Sequence, residues 1–174
     1  MAKTADIQTS STAPGGLEIR PAWRRDDPQI EADAIEFWTR LELLPQGVPP
    51  EQRVKELIAA VYQGGKLISV ATAAIEWFPH LRARFAVLRG ATDPEHRRSG
   101  AQLALAVPVR RILEQWALEH PEEKLAGGLA FVRVEEWGGF AQIPVWPESE
   151  LTLIGWASDG SQVRVAWFDH YRLD

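Results

Sequence analysis

The residues whose types and spacing could do chemistry lie in the stretch GATDPEHRRSGAQ, positions 90–102. The apolar run FAVL precedes the stretch, and a second apolar run with helical spacing follows it. The start of a helix leaves backbone N–H groups unpaired and carries about half a positive charge. Gly100 would allow close approach, and Arg97 and Arg98 would add cations. The pattern predicts a phosphate-binding loop; the alternative is an ordinary helix start with a solvated basic edge.

This stretch resembles the GNAT superfamily, the acyl-CoA-dependent N-acetyltransferases. Their strand-to-helix segment ends in Arg/Gln-x-x-Gly-x-Gly/Ala, commonly after an Asp-Pro-Glu-aromatic-Arg run. The sequence supplies, in register, Asp93, Pro94, Glu95, His96, Arg97 and Gly100. The order of elements on either side also agrees, so the resemblance covers roughly residues 17–173. It implies an α/β fold with a mixed, mostly antiparallel twisted sheet flanked by helices.

The resemblance also implies a site for acetyl-CoA or another acyl-CoA. The coenzyme A pyrophosphate would lie on backbone amides of Arg97, Arg98, Ser99, Gly100, Ala101 and Gln102. The pantetheine arm would run beside Gly90, Ala91 and Thr92, between this strand and the one at 129–134. A glycine inside a strand often marks close approach of another group, although a bulge would also explain Gly90.

The reaction implied is direct acyl transfer to a small amine or a peptide amine. A backbone N–H of the 88–92 strand would polarise the thioester carbonyl. The acceptor would lie between the 44–50 loop and a C-terminal hairpin. Trp38, Trp156 and Trp167 are candidates for contact with an apolar acceptor, and core packing explains them equally well.

The sequence departs from the family pattern at two places. The last signature position is Gln102 rather than Gly or Ala, and its side chain could crowd the pyrophosphate or hydrogen-bond to it. The family's leaving-group tyrosine is missing from residues 136–147, and the chain's only tyrosines are Tyr62 and Tyr171. These departures favour a second hypothesis, a catalytically inactive GNAT-like module that binds acyl-CoA or another ligand or partner. A third is that the junction is only structural.

Catalytic residues are not assigned by the sequence. Glu76 is a candidate general base because apolar neighbours would desolvate it, although an exposed or salt-bridged glutamate is the alternative. Asp169 and His170 are weaker candidates. Four histidines, at 80, 96, 120 and 170, show no metal-ligand spacing with one another, and cysteine is absent, so no metal site is predicted.

Composition limits the class of protein. Acidic residues outnumber basic ones by 24 to 19, giving a net charge of −5, which argues against general nucleic-acid binding. Neither a signal peptide nor a membrane span is indicated, and a cytoplasmic protein is expected. Residues 1–16 have little to bury and are predicted to be a disordered tail, followed by a single domain at 17–174. A homodimer is left open.

The patterning predicts the order of elements. Residues 17–23 should form a strand, and a helix should start at Asp27 and Pro28. A second helix is expected from Pro50, with the glycines at 64–65 as its stop. Two neighbouring antiparallel strands should follow at 66–78 and 82–92, then a helix to about His120 with a kink at Pro108, a strand at 127–135, and a hairpin turning at Asp159 and Gly160.

Overall fold

The protein is described here from a computed structural model, which covers residues 11–13, 15–44 and 46–173. The described residues fall into two compact units. The N-terminal unit comprises those within Met1–Thr72 and Gly90–Ile112, and the C-terminal unit those within Ala73–Arg89 and Leu113–Asp174. Each unit is considered by itself.

The N-terminal unit contains strands β1 (Ser11–Ala13), β2 (Leu17–Pro21) and β3 (Leu57–Gln63), the first part of β4 (Lys66–Phe78) and the last part of β5 (Ala83–Thr92). Strands β1 to β4 pair antiparallel in sequence order. The strand predicted at 17–23 is therefore confirmed. β1 lies within the segment for which composition predicts disorder; backbone pairing with β2 needs no apolar side chains. Residues 1–10 lie outside the described residues.

Helix α1 (Pro28–Arg40) starts where the sequence predicts. The Asp27 side chain accepts hydrogen bonds from the amides of Gln29 and Ile30, so two unpaired donors of the first turn are satisfied. The buried face consists of Ile30, Ala34, Phe37 and Trp38. These side chains pack with buried residues of β3 and β4, and this cluster forms the core of the N-terminal unit.

The predicted second helix is wrong over most of its length. Helix α2 is a single turn, Pro50–Arg53, followed by a 3-10 turn at Val54–Glu56. The apolar run that follows is β3, and Gly64 and Gly65, both at positive φ, form the turn into β4 rather than a helix stop. A short apolar run buried on both faces lacks the alternation that distinguishes strand from helix.

The C-terminal unit contains the rest of β4 and β5, together with β6 (Leu125–Val132), β7 (Thr152–Trp156) and β8 (Gln162–Trp167). β6 runs parallel to β5, in a register from Arg84↔Leu125 to Leu88↔Ala130, and antiparallel to β8. The hydrogen-bonded order of the strands is β1-β2-β3-β4-β5-β6-β8-β7. The predicted strands β4 and β5, which are neighbours in this order, the strand near 127–135 and the hairpin through Gly160 are confirmed.

Helix α3 (Ala101–Ala104) ends at Leu105, and α4 (Ala106–Glu119) continues from there. The interruption lies one turn before Pro108, which has no N–H to donate to the carbonyl of Ala104. The predicted kink is thus a break between two helices. A single turn, α5 (Val134–Trp137), follows β6, and a 3-10 stretch at Gly138–Gln142 follows it. Across the described residues, no helix combines the length and apolarity needed to cross a membrane.

Candidate functional site

The predicted phosphate-binding loop connects the end of β5 to the start of α3, inside the N-terminal unit. The chain leaves β5 at Thr92 and makes a 3-10 turn at Pro94–His96, whose first amides are capped by Asp93. Gly100 then adopts the left-handed conformation, with φ of 79° and ψ of 4°, immediately before α3. This conformation favours glycine and sets the direction in which the helix starts.

The backbone amides at 99–102, at the end of the loop, fall into two groups. Ser99 N–H donates to the carbonyl of His96 at 2.9 Å, and Ala101 N–H donates to Ser99 Oγ at 3.2 Å. These two predicted donors are occupied by the protein itself. Within the described part of the chain, the amides of Gly100 and Gln102 donate no hydrogen bond. The pair remains available to an anion.

Arg97 and Arg98 are exposed beside these amides. Among the described residues, neither has a carboxylate within ion-pair distance. Two unneutralised guanidinium groups and two unpaired amides therefore lie on one short loop. This combination attracts phosphate oxygens through charge-assisted hydrogen bonds.

Asp93 fixes the first half of the loop. Only 1% of this residue is exposed, and its Oδ2 lies 2.9 Å from Arg40 Nη2 and 3.4 Å from Lys66 Nζ. Its backbone N–H donates to the carbonyl of Ile68 at 2.8 Å. Helix α1 and the start of β4 thus hold the loop at the same carboxylate.

Burial alone would raise the pKa of the Asp93 carboxyl. The amide of Glu95 and the cations of Arg40 and Lys66 outweigh that effect, so the pKa lies below its usual range. Asp93 is therefore ionised at neutral pH, and its charge is used to hold the loop in place.

Gln102 lies across Gly90 rather than over the loop. Its carboxamide covers the glycine so closely that a Cβ built on Gly90 would be 2.2 Å from Gln102 Nε2. Its Oε1 is 3.2 Å from Thr92 Oγ1 and 3.3 Å from Ser69 Oγ. The side chain thus fills the space beside Gly90, where the resemblance implies the pantetheine arm, and it leaves the amides of the loop uncovered.

Asp93, Glu95 and His96 offer ligand atoms that lie within 4.8 Å of one another in the described structure. Arg40 and Lys66 already pair with Asp93, and Lys66 Nζ is 3.8 Å from Glu95 Oε2. Two cations already paired with the carboxylates of such a group oppose the binding of a metal ion. These side chains form an ion-pair network.

The candidate base Glu76 is half-exposed and lies 3.8 Å from Arg89, both in the C-terminal unit. Glu76 is therefore an exposed, salt-bridged glutamate, which is the alternative to a desolvated base. His170 Nδ1 is 3.8 Å from Glu114 Oε1, and the backbone N–H of Asp169 donates to the same oxygen at 2.9 Å. These interactions attach the C-terminal turn to α4.

The Tyr62 hydroxyl is not available as an acid. Tyr62 is 2% exposed and donates its hydroxyl hydrogen to Asp33 Oδ2 at 2.7 Å; burial and this bond raise its pKa strongly. Tyr171 stacks on Trp167. Of the tryptophans considered for acceptor contact, Trp38 is buried in the core, whereas Trp156 is 60% exposed. The 44–50 loop includes residue 45, which lies outside the described residues.

A surface hollow adjoins Arg40 and Lys66. It has a volume of about 90 Å³ and is also lined by Asp33, Glu36 and Phe37. Sites for drug-sized ligands measure roughly 300–1,000 Å³. This hollow is too small to hold a coenzyme.

No family model matches the chain, and no curated protein matches its sequence. Solved structures do match its fold. The GNAT domain of PAT from S. lividans is 13% identical, with a TM-score of 0.57 over 94% of this chain and 98% of that one. Ribosomal-protein-S5-alanine acetyltransferase from Vibrio fischeri is 14% identical, with a TM-score of 0.55 over 95% and 100%. YncA of Salmonella typhimurium, solved with its cofactor acetyl-CoA, is 14% identical, with a TM-score of 0.55 over 90% and 96%. The chain has the GNAT fold.

Sequence reasoning missed the residues that position the loop. The Asp93-Pro94 pair signals a cap, and that signal could have identified Asp93 as more than part of a motif. Arg40, Lys66 and Ser69 are distant in sequence, and no local pattern connects them to the loop. The orientation of Gln102 depends on Ser69, Thr92 and Gly90.

Proposed function

We propose that this protein is an acyl-CoA-dependent N-acyltransferase that transfers the acyl group directly to an amine. The observation that carries the proposal is the loop from Asp93 to Gln102, with two amides unpaired among the described residues and two unneutralised arginines. It joins β5 to α3 in a chain with the GNAT fold. Arg97, Arg98, Gly100 and Gln102 would hold the coenzyme pyrophosphate.

The acyl donor would lie with its pantetheine arm along the end of β5, at Gly90, Ala91 and Thr92. The Ala91 carbonyl accepts a hydrogen bond from Ser69 at 3.0 Å, so that oxygen is already engaged. The arm would reach its place only beside or above the Gln102 carboxamide. Either acetyl-CoA or another acyl-CoA fits this description.

The chemistry is nucleophilic acyl substitution. The amine nitrogen attacks the thioester carbonyl and forms the C–N bond, the C–S bond breaks, and coenzyme A leaves as a thiol after it takes a proton. The nitrogen loses one proton in return. The acceptor amine, the base and the acid are not assigned to residues.

One observation favours a second candidate, a GNAT-fold module that binds acyl-CoA without turnover. Tyr62 is buried against Asp33, and residues 136–147 contain no tyrosine, so the family's usual acid has no counterpart there. Such a module would use the same loop for binding.

The test combines binding and turnover with the full chain. Titration calorimetry with coenzyme A measures binding, and release of free thiol from acetyl-CoA over a panel of amines measures transfer. The proposal predicts binding and amine-dependent thiol release. Binding without release from any amine supports the module instead, and no binding heat at low salt contradicts both.

The double substitution Arg97→Ala with Arg98→Ala should raise the coenzyme A Kd at least tenfold, since about 1.4 kcal/mol corresponds to each factor of ten. Arg111→Ala is the matched control, because Arg111 is also exposed but lies on α4. The control should bind as the wild type does. A loss of affinity that is equal in both variants would assign the effect to overall charge.

A further inference from the structure

We infer that Gln102 is the positioning residue of the loop and that Gly90 is the matched site that receives it. In this inference, which rests on the proposed function, the position that is small in the GNAT signature carries a large side chain here, and that side chain faces a glycine. The large side chain is at 102, and the bare backbone is at 90. The departure at Gln102 is therefore compensated within the same unit.

The Gln102 side chain occupies the space that a side chain at position 90 would need. All three terminal heavy atoms of the Gln102 side chain, Nε2, Cδ and Oε1, would lie within 3 Å of a Cβ on Gly90. Side-chain atoms do not approach a Cβ that closely, so any larger residue at 90 must displace the carboxamide. Gly90 does not have positive φ, and an alanine there is acceptable to the backbone itself. Because the carboxamide is the far end of a flexible side chain, the cost of an alanine at 90 lies in the contacts that the displaced Gln102 gives up.

Polar contacts with Ser69 and Thr92 orient the Gln102 carboxamide. Ser69 Oγ lies 2.9 Å from Thr92 Oγ1 and 3.0 Å from the carbonyl of Ala91, and both hydroxyls lie within 3.3 Å of Gln102 Oε1. Each hydroxyl has one hydrogen, so these four contacts cannot all be hydrogen bonds at once. One arrangement directs Ser69 to Ala91 and Thr92 to Gln102. The carboxamide oxygen thereby faces β4 and β5, and the nitrogen lies over Gly90.

Gln102 also lies at the start of α3, next to the unpaired amides. Gln102 is the second residue of α3, and its own amide is one of the two unpaired donors. Its side chain therefore ties the donor end of the helix to β4 and β5, while Asp93 ties the other end of the loop to α1 and β4. With both ends held, the amides of Gly100 and Gln102 keep a fixed direction without a ligand, which lowers the cost of ordering them on binding.

The test is a double-mutant cycle of wild type, Gly90→Ala, Gln102→Ala and the combined variant. Urea unfolding, hydrogen exchange of residues 97–102 and the coenzyme A Kd are measured on each. Gly90→Ala alone should raise the unfolding equilibrium constant and the Kd about tenfold each, because the added methyl expels the carboxamide. The combined variant should return to within about threefold of Gln102→Ala, since the methyl then has space.

Two further variants sharpen the cycle. Gly155→Ala is the control for glycine in a strand, because nothing lies within 4 Å of its Cβ position, and it should leave both quantities unchanged. Gln102→Met keeps the bulk but not the acceptor oxygen. It should remain about as stable as the wild type, yet bind coenzyme A about threefold more weakly and exchange its 97–102 amides faster.

The outcomes separate this inference from the proposed function. Additive effects of the two substitutions on unfolding overturn the inference, whatever binds. The effects on unfolding could also be non-additive while the Kd and the exchange rates stay the same in every variant. Gln102 would then contribute only packing, and the inference would again be overturned. If Gly90→Ala fails to fold, rescue by Gln102→Ala supports the inference, and failure of the combined variant contradicts it. If the wild type binds no coenzyme A, the proposed function is wrong. The coupling between the Gly90 and Gln102 substitutions, measured by unfolding and amide exchange, still tests the inference.

Discussion

Among the residues that the structure describes, each unit contains one almost fully buried charged side chain, and the two are held in opposite ways. In the N-terminal unit, Asp93 lies between the cations of Arg40 and Lys66. In the C-terminal unit, Arg164 is 0% exposed and donates to neutral acceptors: Gln162 Oε1 at 2.8 Å, the carbonyl of Ala141 at 3.0 Å and that of Leu151 at 3.3 Å. Its guanidinium also lies 4.6 Å from the centre of the Trp146 ring.

The difference separates two kinds of anchor. Arg164 ties the segment 138–151 to β8 through backbone carbonyls and an aromatic face, and burial lowers the pKa of its guanidinium. Asp93 ties the loop to α1 and β4 through charges whose partners remain partly exposed to water. The first anchor should govern stability, whereas the second should respond to pH and salt and affect a bound anion.

The largest effect is expected for Arg164→Ala. Removing the guanidinium leaves the carbonyls of Ala141 and Leu151 without this donor, and it opens a hole under Trp146. The free energy of unfolding should fall by about 3 kcal/mol or more. Urea unfolding measures this change. Arg133→Ala, at an exposed arginine of the same unit, should change it by no more than about 0.5 kcal/mol. An equal decrease in the free energy of unfolding in the two variants would show that Arg164 does not anchor the segment.

The second largest effect is expected for Asp93→Asn, which keeps the shape of the side chain and removes its charge. At pH 7 the free energy of unfolding should fall by about 2 kcal/mol, less than for a fully buried pair because both cations are partly exposed. Because the folded pKa is lowered, the wild-type contribution is complete above the unfolded value of about 3.9 and is lost as pH falls through the folded value.

The difference between wild type and Asp93→Asn should therefore shrink as the pH is lowered from 5 toward 2. Unfolding measured across this range at constant ionic strength checks the sign. A difference that stays constant with pH would show that the Asp93 charge does not hold the loop.

A smaller effect is expected for Gly100→Ala. No atom lies within 4 Å of the Cβ position, so the cost comes from the left-handed backbone alone and should be about 1 kcal/mol. Gly139→Ala is the matched control, because its Cβ position is equally open and its φ is not positive. It should be neutral or slightly stabilising. A neutral Gly100→Ala would mean that the turn before α3 does not require this conformation.

The sequence could predict elements whose signals are local. The Asp27 cap, the turn between β4 and β5 and the Gly160 hairpin each depend on a few neighbouring residues, and all are present. The strand β3 was predicted as a helix, because a short apolar run buried on both faces has no distinguishing period. The loop was located by its motif, but its geometry depends on Arg40, Lys66 and Ser69, which are far away in sequence. Arg164 gave no local signal at all.

The central claim is that the amides of Gly100 and Gln102, beside Arg97 and Arg98, receive a pyrophosphate. The most direct measurement is a crystal structure of the full chain grown with coenzyme A. Our account predicts pyrophosphate oxygens within about 3 Å of both amide nitrogens, with Asp93 still between Arg40 and Lys66. Coenzyme A bound elsewhere on the protein, with these amides facing water, would contradict it.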